Sequence, residues 1–156
     1  MIKLVLAAAL ALFILGDATA YATDEQPKVK AVYFYASWCS NCKIVDPILD
    51  KARMQTQNLP VQHLTLDFSN AQTWDKAMEI ALDNDVVATY NAYAGTTGMV
   101  VLLAADTGEQ IDCVNRLFTV GTMSLAFERA VERVETLAVG LRDTGSMVCP
   151  TGRPAP

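Results

Sequence analysis

Two cysteines three residues apart, Cys39 and Cys42, stand just after a run of β-branched and aromatic residues, Val29 to Tyr35, and open an apolar pattern of helical spacing. This junction constrains the fold more than any other feature. The run reads as a buried strand. Ile44, Val45, Ile48, Leu49 and Ala52 then recur at helical spacing as far as about Gln57, with Pro47 as a kink. Where a strand feeds a helix, residues i and i+3 of the first turn share one face, and two sulfurs there can reach the roughly 2 Å of a disulfide. The first turn also offers unpaired N–H groups and the positive end of the helix dipole, which favour thiolate over thiol. Cys39 is therefore the expected low-pKa nucleophile. Cys42, one turn deeper, is the expected resolving thiol. The spacing alone also fits half of a zinc site or a small disulfide framework; the helix start beside Trp38 weighs for redox chemistry.

The rest of the chain alternates between strands and helices. Val61 to Phe68 reads as a second strand, and Ser69 or Asn70 can cap a helix from about Ala71 to Leu82. Asp85 can cap a shorter helix near Val86 to Tyr90. Met99 to Ala104 is continuously apolar, Asp106-Thr107-Gly108 is a turn, and Gln110 to Leu117 completes a hairpin. A closing amphipathic helix runs from Thr122 to about Val139, carrying Leu125, Ala126, Ala130, Val131, Val134 and Leu137 on one side. This order predicts an α/β domain, a mixed central sheet of about four strands with helices on both faces. Its expected extent is 23–139. Residues 140–156, rich in glycine and proline, form a tail.

The expected leader is residues 1–22: Lys3, an apolar run from Leu4 to Leu15, and small residues that allow cleavage after Ala20 or Ala22. A dozen apolar residues fall short of the roughly 20 that span a bilayer core. A periplasmic or secreted protein follows, in a compartment where disulfides persist. Seventeen acidic residues against 12 basic ones give a formal net charge of -5, which argues against nucleic acid or anionic lipid as the main partner.

The segment Tyr33-Phe34-Tyr35-Ala36-Ser37-Trp38-Cys39-Ser40-Asn41-Cys42-Lys43, followed by Pro47-Ile48-Leu49-Asp50, resembles the active-site segment of thioredoxins and their exported relatives. The resemblance covers about Val29 to Val139. It implies a thioredoxin-like fold and dithiol–disulfide exchange, with Trp38 and Lys43 flanking the reactive pair. Three positions depart from the family. Its members often keep a buried acid on the strand before the motif, to take the resolving thiol's proton; Tyr33 stands there. They also carry a cis-proline beside the disulfide, where Gly95-Thr96-Thr97-Gly98-Met99 offers none; Thr97 and Gly98 are the expected substrate-groove loop. The dipeptide Ser40-Asn41 does not encode a redox direction.

His63, the only histidine, could by strand alternation lie near Tyr33 and serve as the missing base; an ordinary solvated histidine is the competing reading. Cys113 and Cys149 are expected to form a structural disulfide, with free or relay thiols as the alternative. The expected function is an exported, monomeric thiol–disulfide oxidoreductase without cofactor or metal. It would pass electrons to cysteine-containing exported proteins, lean toward reduction, and be recharged by a membrane-embedded donor. The alternative is a thioredoxin-fold module that holds Cu(I) or Zn(II) or binds a partner without turnover.

Overall fold

The computed structural model describes residues 26–152, so the expected leader lies outside the described residues. Four strands and four helices follow one another as β1 (Val29–Tyr35), α1 (Ser40–Gln55), β2 (Val61–Asp67), α2 (Ala71–Asp83), α3 (Val87–Tyr93), β3 (Met99–Ala104), β4 (Gln110–Asn115) and α4 (Val120–Thr136). The sheet order is β2-β1-β3-β4. β1 runs parallel to β2 and antiparallel to β3, and β3 pairs antiparallel with β4. A right-handed β1-α1-β2 crossover is the usual way to join such parallel neighbours.

Burial explains this order. Every residue of β3 is buried, as befits a central strand covered on both faces. Alternation along β1 divides the core. Phe34 faces Phe68 and Tyr93, while Tyr33 faces Asp46 of α1. α1 packs against α4 on one face of the sheet, and α2 against α3. Helices thus cover both faces.

Two helix ends show where local chemistry overrode periodicity. Asp85 does not cap α3, whose N-cap is Val86 with no side-chain bond. It instead adopts φ 54° just after α2. There its N–H donates to the Leu82 carbonyl and that of Val86 to the Ala81 carbonyl, closing α2 in the paired-bond pattern that normally recruits glycine. α4 starts two residues before Thr122 because Thr119 and Thr122 bond each other's backbone as a capping box.

The tail beyond Gly140 is irregular but firmly docked. Arg142 is buried and forks onto the Asp106 carboxylate at 2.7 and 2.9 Å. Glu109 accepts from the N–H groups of Gly140 and Arg142, and the Thr144 N–H reaches the Ile111 carbonyl on the open edge of β4. Cys149 is bonded to Cys113 across 36 residues. On the chain-entropy estimate such a loop adds about 3 to 4 kcal/mol of stability. No described helix is long and apolar enough to cross a membrane.

Candidate functional site

Cys39 is the N-cap of α1, and its backbone is extended (φ -76°, ψ 115°) as capping requires. Its sulfur takes the place usually held by a capping oxygen: Sγ accepts the Cys42 N–H at 3.2 Å. Burial raises the Cys39 thiol. Hydrogen bonds from the Cys42 and Thr97 side chains and from the backbone of Cys42 and Asn41 outweigh it, so the pKa falls below the ordinary thiol value. Donors that the fold already supplies thus favour a thiolate at Cys39.

Cys42 points inward. It is 1% exposed against 6% for Cys39, and both are free thiols. Burial, then its bond to Cys39, pushes the Cys42 thiol up to about 11, against the lowering effect of the Ala36 backbone and the Tyr33 hydroxyl. The two sulfurs share an environment and are driven apart in acidity by it.

Tyr33 lies under Cys42. Its hydroxyl donates to Oδ1 of Asp46 at 2.6 Å and also meets the Cys42 sulfur. Burial and these two partners hold the phenol well above its ordinary range. Asp46 is the residue that sequence reasoning missed. The carboxylate absent from the strand is present on the helix, one turn after Cys42, and is joined to the thiol through Tyr33. The i, i+4 spacing of Cys42 and Asp46 was the available signal. A cavity of about 290 Å³, lined by Tyr33, Tyr35, Asp46, Asp50, Arg53 and Thr65, opens beside this chain of groups.

His63 lies further along the same face of the sheet. Strand alternation does put it on the same face as Tyr33, but it pairs with Ala31, whereas Thr65 stands opposite Tyr33. Its ring packs edge-on against Phe127 of α4 with centroids 5.4 Å apart. Burial, aided by the Arg53 charge, lowers its pKa to about 4, and its Nδ1 is buried without a hydrogen-bond partner. Its ring contact is with Phe127, whereas Asp46 is the group bonded to the Tyr33 hydroxyl.

Gly98 lies in the segment where the resemblance places the family's proline. Its φ of +84° is closed to proline, and its N–H donates to the Phe34 carbonyl at 2.8 Å. No cis peptide bond occurs among the described residues. A Cβ here would lie 2.5 Å from the Asn41 Cβ and 3.4 Å from the Cys39 sulfur, so the loop approaches the dithiol as closely as a backbone can. Thr97 turns its hydroxyl to Cys39. Trp38 is 62% exposed beside the pair, and Lys43 is also on the surface. Because Cys113 and Cys149 bind each other, neither is available to complete a four-thiolate metal site with Cys39 and Cys42.

A family model described as thioredoxin matches residues 19–112, more than half of the 156-residue chain. The chain belongs to the thioredoxin family. Its motif, fold and paired thiols are those of a thiol–disulfide oxidoreductase. Similar solved structures include StoA from Bacillus subtilis, at 16% identity over 66% of this chain and 84% of that one, with a TM-score of 0.46. Others are a secreted Mycobacterium tuberculosis disulfide oxidoreductase homologous to E. coli DsbE (17%, 66% and 82%, 0.44) and tryparedoxin from Trypanosoma brucei (17%, 59% and 72%, 0.43). No curated protein matches the sequence.

Proposed function

We propose that this thioredoxin-family protein works outside the cytoplasm as a reductase of disulfides in cysteine-containing exported proteins. The observation that carries the reading is the split between the two thiols, Cys39 lowered and 6% exposed, Cys42 raised to about 11 and 1% exposed. The Cys39 thiolate attacks a partner disulfide, forms a mixed disulfide and releases one partner thiolate. Cys42 then loses its proton and attacks the Cys39 sulfur, releasing the second partner thiolate and closing the Cys39–Cys42 disulfide. Two electrons pass to the partner.

The proton follows the bonded chain. The Cys42 S–H proton moves to the Tyr33 oxygen as the Tyr33 proton moves to Asp46, which faces the solvent-connected cavity. Tyr33 need never hold a negative charge. Of the two thiols only Cys39 has a stabilised thiolate; Cys42, neutral at pH 7, adds nothing to the stability of the dithiol, which limits the oxidising power of the pair. A membrane-embedded dithiol donor would restore the pair. Export is supported by the lysine-led apolar stretch near the start of the sequence and by the Cys113–Cys149 bond, which suits an oxidising compartment.

Cys39→Ser should abolish turnover of a disulfide substrate, and Cys42→Ser should trap partners as mixed disulfides. Wild-type turnover by Cys39→Ser would overturn the mechanism. For direction, equilibration with glutathione buffers should place the pair nearer to the −270 mV or so of thioredoxin than to the about −120 mV of a strong oxidant. A value at the oxidant end would reverse it.

A further inference from the structure

A groove of about 190 Å³ runs from Asn41 and Gly98 beside the dithiol to Arg116 just past β4, and its far wall is built by the tail, through Val148 and Pro150. The tail lies outside the matched family region of residues 19–112. It is nonetheless fixed in this place. The Cys113–Cys149 bond ties it to β4, and Gly152 then reaches α3, where an added Cβ would lie 3.3 Å from the Ala92 Cβ. Val148, half-buried, packs against the hydrophobic core with Cys149. The disulfide thus does more than close a loop. It holds an apolar wall against the opening in which a substrate must lie.

The polarity of this groove is one-sided. Arg116 is exposed, and it is the only charged side chain on the lining; the others are amide, hydroxyl or apolar groups. In an acidic protein, with a net charge of -5, this lining therefore carries one cation and no anion. Resting on the oxidoreductase reading, we propose that the tail and Arg116 form a specificity site for an extended partner segment. That segment carries an acidic residue close to its reactive cysteine and an apolar side chain that lies on Val148 and Pro150. A carboxylate at Arg116 is screened by nearby water, so it contributes to choice among partners and to capture rather than to the chemical step.

Three short disulfide-linked peptides that differ only in a Glu, Gln or Lys two residues from the cysteine provide the test, with hydroxyethyl disulfide as a small neutral control. The protein is used with its Cys113–Cys149 bond verified intact. At low ionic strength wild-type kcat/KM should rank Glu above Gln above Lys, with about a 3- to 10-fold span that shrinks as salt is added. Arg116→Glu should invert the order, and Val148→Asp, on the tail itself, should weaken the Glu peptide most. Both variants should keep the wild-type rate with hydroxyethyl disulfide. Equal rates for the three peptides in wild type, or an unchanged order in either variant, would overturn the proposal. Peptide rates that fall as protein concentration rises would place a second copy of the chain in the groove and overturn it too. Failure of wild type to reduce hydroxyethyl disulfide would instead count against the reductase reading.

Discussion

Replacing Asp46 by Asn separates a proton acceptor from a mere hydrogen-bond partner. The amide keeps the size of the side chain and can still accept the Tyr33 hydroxyl through its carbonyl oxygen, but it cannot take a proton from it. With the Cys42 thiol at about 11, only about one molecule in ten thousand carries the thiolate at pH 7 without assistance. A base acting in the transition state is typically worth 10²- to 10⁴-fold. Because Tyr33 stands between Asp46 and the sulfur, the lower end applies, and Asp46→Asn should slow closure of the mixed disulfide by about 100-fold at pH 7. The deficit should shrink by about tenfold per pH unit above neutrality, as hydroxide replaces the lost acceptor. Attack by Cys39 should hardly change, since its donors are Cys42, Thr97 and the backbone of Asn41. Single-turnover kinetics on a fluorescent mixed disulfide resolve the two steps. Tyr33→Phe should show the same pH-dependent deficit by cutting the chain one link earlier. A closure rate within twofold of wild type at pH 7 in Asp46→Asn would refute the relay and leave water as the acceptor.

Gly98→Ala forces a side chain into left-handed backbone and sets its Cβ 2.5 Å from that of Asn41, so it should cost about 2 to 4 kcal/mol by urea unfolding. Displacement of Cys39 should slow the first attack by tenfold or so, and wild-type stability together with a wild-type rate would show that the loop approaches less closely than described. His63 predicts a pH effect of definite sign: its folded pKa of about 4 lies below the ordinary 6.5, so the unfolded chain binds the proton first and stability falls as pH drops through that interval. The gap is worth at most about 3 kcal/mol, discounted to about 1 to 2 for partial solvent access. His63→Gln should flatten this part of the urea-midpoint profile and leave disulfide closure intact; slower closure in that variant would return His63 to the mechanism.

What the sequence displayed well was whatever depended on burial of continuous apolar runs. β1 and β3 have the limits read from their composition because both are covered on two faces, and a polar residue, Ser37 or Asp106, follows within two positions of their ends. β4 stops at Asn115 rather than Leu117 because the Asn115 side chain and carbonyl turn the chain through the N–H groups of Leu117 and Phe118. Features built from long-range polar pairs were illegible. Nothing in the composition of the tail announces that Arg142 is buried on Asp106, or that Glu109 holds two of its backbone groups. Position by position, Tyr33 looked like the loss of an acid. Only the fold shows that the helix brings a carboxylate to the Tyr33 hydroxyl. For His63 alternation gives the face, which the structure keeps, but not the position along it, which is opposite Ala31.

The two departures at Tyr33 and Gly98 alter the site in different ways. In the proposed relay Tyr33 links Cys42 to an acceptor, Asp46, and sets that carboxyl group one side chain further from the sulfur than an acid on the strand itself would be. Gly98 keeps the loop close to the pair without the rigidity of a proline ring. That rigidity is recovered in part by the bond from its N–H to Phe34 and by contact with Asn41. Such a loop holds its shape only while its neighbours hold theirs. The tail stands across the groove from it, bound by a disulfide to the strand that pairs with β3. Fixing that wall is physically the more important where the opposite one is glycine, because the width of the groove depends on both.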